Sequence, residues 1–160
     1  MIAVLMGVSG AGKTTIGEAL GRRLGWRFID ADDYHPPENV AKMAAGRPLE
    51  DEDRWPWLDR LNSLLKHQEN VILACSALKE RYRERLARGI ERVRWVHLTA
   101  DRALLRSRIG KRRHHYMPAS LLESQFAALE PPANALVVDV SAELDDCVSL
   151  IVRALEGKQP

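Results

Sequence analysis

Short apolar runs and longer amphipathic stretches alternate along this chain. Residues 2–6, IAVLM, are apolar without a break and end at Gly7, the pattern of a strand buried on both faces. Ile16, Ala19, Leu20 and Leu24 then recur at helical spacing, with Gly25 as a stop. RFIDA (27–31) predicts a second strand, and PPENVAKMAAG (36–46) carries the prolines and the glycine that punctuate a helix. In WPWLDRLNSLLK (55–66), Leu58, Leu61, Leu64 and Leu65 share one helical face. NVILACS (70–76) predicts a third strand, ALKERYRERLARG (77–89) a charged helix closed by Gly89, and VRWVHL (93–98) a fourth strand. RALLRSRI (102–109) and ASLLESQFAAL (119–129) predict helices on either side of a basic loop. ALVVDV (135–140) predicts a fifth strand and residues 144–156 a final helix.

Strands that alternate with helices predict an α/β fold: a parallel five-stranded sheet with helices on both faces, three layers in all. In such sheets ligands sit beyond the carboxyl ends of the strands. The residues expected there are Gly7, Asp30–Asp32, Cys75–Ser76, Thr99–Asp101 and Asp139–Ser141, most of them polar or glycine. No linker, repeat or low-complexity segment interrupts the pattern, so the 160 residues predict a single domain.

Composition narrows the function classes. With 24 basic and 22 acidic residues the net charge is +2, which lacks the strongly basic footprint of a nucleic-acid-binding protein. Two cysteines, Cys75 and Cys147, form neither a disulfide framework nor a metal site, and both read as core thiols. No apolar run approaches the ~18 residues of a membrane span, and MIAVLMGVSG lacks the basic start and cleavage site of a signal peptide. A cytoplasmic protein is the expectation.

Directly after the first strand stands GVSGAGKT (7–14), which fits G-x-x-x-x-G-K-[ST]. Gly7, Gly10 and Gly12 allow the backbone to curl, so that its N–H groups, including those of Ser9 and Ala11, surround a phosphate. The following helix, entered through Lys13, Thr14 and Thr15, adds the positive end of its dipole. Lys13 is expected to reach the terminal phosphates, and the Thr14 hydroxyl to bind Mg²⁺. The strand before and the helix after are the context this motif requires. It predicts nucleotide binding without saying what the nucleotide is used for.

The second strand ends in DADD (30–33). A carboxylate beside a phosphate loop can hold Mg²⁺ or accept the proton of a hydroxyl that attacks the γ-phosphate. Alternation along an extended segment puts Asp30 and Asp32 on the same side and Asp33 on the other. Asp30 is therefore assigned to the metal, Asp32 to the hydroxyl, and Asp33 to a solvated turn.

GVSGAGKT, DADDYHPPENVAKMAAGRPLEDEDRWPWL, CSALKERYR and SQFAALEPP, in this order, resemble the small P-loop gluconokinase family over most of the chain. The acidic and aromatic run is far more discriminating than the P-loop. The resemblance implies a nucleoside-monophosphate-kinase-type fold with a mobile lid at about 108–120. It also implies ATP and D-gluconate as substrates, Mg²⁺ as cofactor, and a homodimer. Gluconate is a linear polyol with one carboxylate, so its site needs a cation and several hydrogen-bonding groups. His35, Lys42, Arg54, Lys79, Arg81 and Gln125 lie in the matching motifs. Arg54 or Arg81 suits the carboxylate, and His35 and Gln125 the hydroxyls. Arg85 and Arg88 read as a solvated face, and Ser76 as a helix N-cap or a substrate contact.

RSRIGKRRHHYMP (106–118) concentrates cations between two helices. Charge spreads over the γ-phosphoryl oxygens during transfer, and a closing basic loop would stabilise it and exclude water. Arg108 and Arg112 are the lid candidates, with Arg113 behind them. His115 falls on the family's histidine, whereas His114 replaces a glycine. By family analogy DVSAEL (139–144) lines an adenine pocket.

Overall fold

Residues 1–111 and 121–157 are described by the computed structural model. Five parallel strands form one sheet in the order β2 (Arg27–Asp30), β3 (Val71–Ala74), β1 (Ile2–Met6), β4 (Val93–Thr99), β5 (Leu136–Asp139). Ile2 pairs with Val71 on one side and with Val93 on the other, which makes β1 central. Every residue of β1 and β3 is buried, whereas the two edge strands keep exposed positions.

Both faces of the sheet are covered, and the pleat sorts the side chains between them. Ala3, Leu5, Ile72, Val96 and Leu98 pack on one side with Ile16 and Leu20 of α1 (Lys13–Leu24), Leu105 and Ile109 of α5 (Arg102–Gly110), and Val148 and Ile151 of α7 (Leu144–Leu155). Ile2, Val4, Met6, Val71 and Leu73 pack on the other with Trp57, Leu58, Leu61 and Leu65 of α3 (Asp51–Leu65) and with Tyr82 and Leu86 of α4 (Glu80–Ala87). Two further helices, α2 (Pro37–Ala44) and α6 (Leu122–Ala128), stand near the carboxyl edge of the sheet, where Met43, Leu49 and Leu121 form a small cluster. No helix among the described residues is long and apolar enough to cross a membrane.

The elements depart from the expected boundaries at three informative places. β2 stops at Asp30, and Ala31–Tyr34 form a 3₁₀ turn in place of continued strand. The Asp30 carboxylate accepts the Asp32 N–H at 3.0 Å, which starts that turn. Helix α3 begins at Asp51, well before the Trp-Pro-Trp. Glu50 and Asp53 form a capping box and three acids occupy the first turn. Pro56 removes one backbone bond inside the helix, which nonetheless continues to Leu65. The charged helix expected from residue 77 starts only at Glu80, so Lys79, not Ser76, is its N-cap. Ala77 has a φ of 45°, which no helix accommodates, and the buried Arg83 binds the Ala77 and Leu78 carbonyls and holds this loop open.

Candidate active site

The loop between β1 and α1 curls because its glycines permit it. Gly7 has a φ of 147°, and a Cβ there would lie 2.7 Å from the Leu98 carbonyl oxygen. Gly12, at a φ of 87°, turns the chain into α1. Within the curl the Lys13 ammonium donates to the carbonyls of Gly7 and Val8 at 2.9 and 3.0 Å. The next residue joins the loop to the acidic turn: the Thr14 hydroxyl donates to Asp30 Oδ2 at 3.0 Å. The two groups assigned to a metal are therefore in contact. They are hard oxygen donors of the kind Mg²⁺ takes, together with phosphate oxygens, in phosphoryl-transfer sites. Among the described residues no group of three or more His, Cys, Asp or Glu side chains could hold a metal ion.

A cavity of ≈ 250 Å³ opens between this loop and the 3₁₀ turn. Lys13, Thr14, Ser9, Asp30, Asp32, His35, Arg54 and Gln125 all line it, although they come from four separate stretches of the chain. Asp33 lines it too. The alternation argument that turned Asp33 away fails because a 3₁₀ turn repeats every three residues rather than every two. Ser76 also reaches the wall, and Cys75 lies buried behind it with its thiol pushed up to about 12 by burial first and by Asp32 second.

Trp57 supports the acidic turn. Its indole N–H donates to the Ala31 carbonyl at 2.8 Å, and its ring stacks on His35 with centroids 4.0 Å apart. Burial, and secondly the Arg54 charge, lower the His35 pKa from 6.5 to about 4, so the imidazole is neutral near pH 7. Gln125 of α6 accepts the Ser9 N–H at 2.7 Å and so braces the phosphate loop. Arg54 binds the Leu49 carbonyl and lies over the Tyr82 ring, 4.9 Å from its centroid.

Three of the residues expected at the substrate lie elsewhere. Lys42 is paired with Asp53 Oδ2 at 2.8 Å and does not line the cavity. The same Asp53 oxygen accepts the Glu50 N–H, and Lys42 first and this backbone contact second hold its carboxyl below the usual range. Lys42 thus ties α2 to the start of α3. Arg81 is paired with Asp51 at 2.6 Å on the outer side of α4. Lys79 faces a neighbouring depression that it shares with Tyr82 and Arg54. Arg112, Arg113, His114 and His115, and with them most of the expected lid, lie outside the described residues.

On the opposite side of the phosphate loop is a second cavity of ≈ 360 Å³. Gly10, Gly12 and Thr15 form its floor, and Val140, Ala142, Leu144 and Cys147 its wall. Arg108 stands at the junction and donates to the Val140 carbonyl at 2.8 Å. It belongs to the last turn of α5.

Asp33, Asn39, Asp53 and Trp57 were not among the site residues read from the sequence. Asn39 stands in the first turn of α2, and its amide reaches back to the His35 ring just before that helix, 3.2 Å away. Trp57 entered only as part of the DEDRWPWL run that carries the family resemblance, with no role of its own.

The AAA domain family model matches residues 2–132. The chain is 42% identical to a probable gluconokinase of Xenopus tropicalis, over 99% of this chain and 93% of that protein. It is 48% identical to the thermosensitive gluconokinase of Escherichia coli (strain K12), over 81% and 71% respectively. The crystal structure of a gluconokinase from Sinorhizobium meliloti 1021 superposes with a TM-score of 0.83 at 37% identity, covering 99% of this chain and 97% of that one.

Proposed function

The chain belongs to the gluconokinase family, and from that membership we propose that it transfers the γ-phosphate of ATP directly to the terminal hydroxyl of D-gluconate, giving 6-phospho-D-gluconate. The fold is that of a P-loop kinase of the nucleoside-monophosphate-kinase type. The observation that carries the reading is the single cavity in which the phosphate loop meets Asp32, His35 and Arg54.

The chemistry follows from those side chains. Lys13, which lies against the Gly7 and Val8 carbonyls, turns to the β- and γ-phosphates when nucleotide enters. Thr14 and Asp30 would hold Mg²⁺, which when bound neutralises charge on the phosphate oxygens. The second cavity, with its small and apolar wall, suits the adenine base. Asp32 accepts the proton of the attacking hydroxyl, so no covalent enzyme intermediate is needed. Lys13 and Arg54 are the permanent cations among the described residues lining the acceptor cavity. Lys13 is committed to phosphate, which leaves Arg54 for the gluconate carboxylate, a group its planar fork matches. The same resemblance supports a cytoplasmic, dimeric, single-domain enzyme whose partner is a small molecule rather than nucleic acid or a membrane.

The test is ADP release by the purified protein with MgATP and, in turn, D-gluconate, shikimate, AMP or no acceptor. Turnover with gluconate alone is expected. Turnover only with another acceptor would keep the kinase and remove gluconate.

A further inference from the structure

Asn39, on the first turn of α2, is 3% exposed, and its amide has partners that determine the state of a neighbouring ring. Its Nδ2 lies 2.8 Å from the Asp53 backbone carbonyl and 3.2 Å from His35 Nδ1. A carbonyl oxygen only accepts, so the Asn39 atom facing it is the amide nitrogen, which has two hydrogens. One goes to Asp53; the second points to His35 Nδ1. A neutral imidazole that receives a hydrogen bond at Nδ1 must have its own hydrogen at Nε2. The ring is held against rotation by stacking at 16° on Trp57. Burial and the Arg54 charge keep it neutral.

His35 Nε2 then faces Asp32 Oδ1 across 3.7 Å, too far for a hydrogen bond between them. One hydroxyl oxygen can stand at about 2.8 Å from both atoms, the usual hydrogen-bond length. It would accept the Nε2–H and give its own hydrogen to the carboxylate. We propose that Asn39 is a positioning residue that fixes His35 as an Nε2–H donor, so that His35 and Asp32 together receive a single hydroxyl of the acceptor. The alternative tautomer would present a bare nitrogen lone pair opposite a carboxylate, a pair that repels an oxygen approaching between them. This inference rests on the acceptor cavity being the hydroxyl-binding site, and it does not depend on which polyol enters.

The experiment is ¹⁵N NMR of the histidine side chains of the full-length protein at neutral pH, with His35 assigned by the signals that vanish in His35→Gln. Wild-type His35 is expected to show a protonated Nε2 and an unprotonated Nδ1. A protonated Nδ1 in the wild type overturns the proposal without any variant. In Asn39→Asp a carboxylate replaces the donor, and Nδ1 is expected to become protonated. Turnover with the best acceptor should fall about 10- to 100-fold, the loss typical when the partner that orients a histidine is changed, while ATP affinity stays at the wild-type value. An Asn39→Asp protein that is folded by circular dichroism and keeps both the wild-type tautomer and wild-type turnover also overturns it. Should Asn39→Asp not fold, Asn39→Ala is read in the same way: a His35 that stays wholly in the Nε2–H form, with unchanged turnover, counts against a positioning role. Failure of gluconate as acceptor would appear in the wild-type assay and leave the tautomer reading untouched.

Discussion

The cavity on the Asp32 side of the phosphate loop is walled by three aspartates, a neutral histidine and an arginine, most of them held by side-chain hydrogen bonds. The cavity on the Arg108 side is walled by Gly10 and Gly12 and by Val140, Ala142 and Leu144, with Thr15, Arg108 and Lys111 as its polar members. The first reads a ligand through directional donors and acceptors, where moving one atom costs a hydrogen bond. The second offers mainly backbone and small apolar surface beside its two cations, and apolar contact is non-directional, so losing one apolar side chain there should cost less. Under the proposed function the acceptor meets the first wall and the adenine base the second, so selectivity is expected on one side of the loop and tolerance on the other.

That contrast can be broken most severely at Asp32. Asp32→Ala should lower kcat by about 10²- to 10⁴-fold, the usual weight of general base catalysis, and leave ATP binding by titration calorimetry intact. Near-wild-type turnover would remove the base assignment. Lys13 serves both sides of the loop, so Lys13→Ala should lower kcat by about 10²- to 10³-fold, as loss of an electrostatic stabiliser does. Full activity there would undo the phosphate reading.

Arg54→Ala sharpens the acceptor side alone. Losing a charged hydrogen-bond partner costs about 1.5–3 kcal/mol, so the KM for gluconate should rise about 10- to 100-fold while the KM for ATP holds. The same change in Arg81, which is engaged with Asp51 outside the cavity, should have little effect on either. Equal effects of the two variants would refute the assignment of the carboxylate to Arg54.

The acceptor wall also carries a pH signature. Folding lowers the His35 pKa from 6.5 to about 4, so the folded protein resists a proton that the unfolded chain takes up. The stabilisation is complete above about pH 6.5, declines as pH falls, and is gone below about pH 4. A shift of that size corresponds to about 3 kcal/mol. Urea unfolding of wild type and His35→Gln between pH 7 and pH 4 would reveal it as a slope the variant lacks. The smallest effect is expected on the Arg108 side: Leu144 is 42% exposed, and Leu144→Ala should change the KM for ATP by no more than about threefold, under 1 kcal/mol of apolar contact. A tenfold change would mean that this wall is as selective as the other.

Periodicity and short motifs were enough for the five strands, for the sheet being parallel and for the glycines, lysine and threonine of the phosphate loop. Each depends on residues close in the chain, where two- and 3.6-residue repeats decide which faces are buried. The same local logic carried Asp30 to the phosphate loop, because strand ends in a parallel sheet share one edge. It misplaced Asp33, since the N–H of Asp32 bends the chain back onto Asp30 and ends the strand. It also left the carboxylate open between Arg54 and Arg81, with Lys42 and Lys79 as further substrate candidates. Tertiary structure separated them through partners distant in sequence: Asp53 took Lys42, Asp51 took Arg81, and Arg54 alone of the four reached the acceptor cavity. Likewise the Asn39 amide is oriented by the Asp53 carbonyl, a partner distant in sequence, so its contact with His35 became legible only where α2 meets α3.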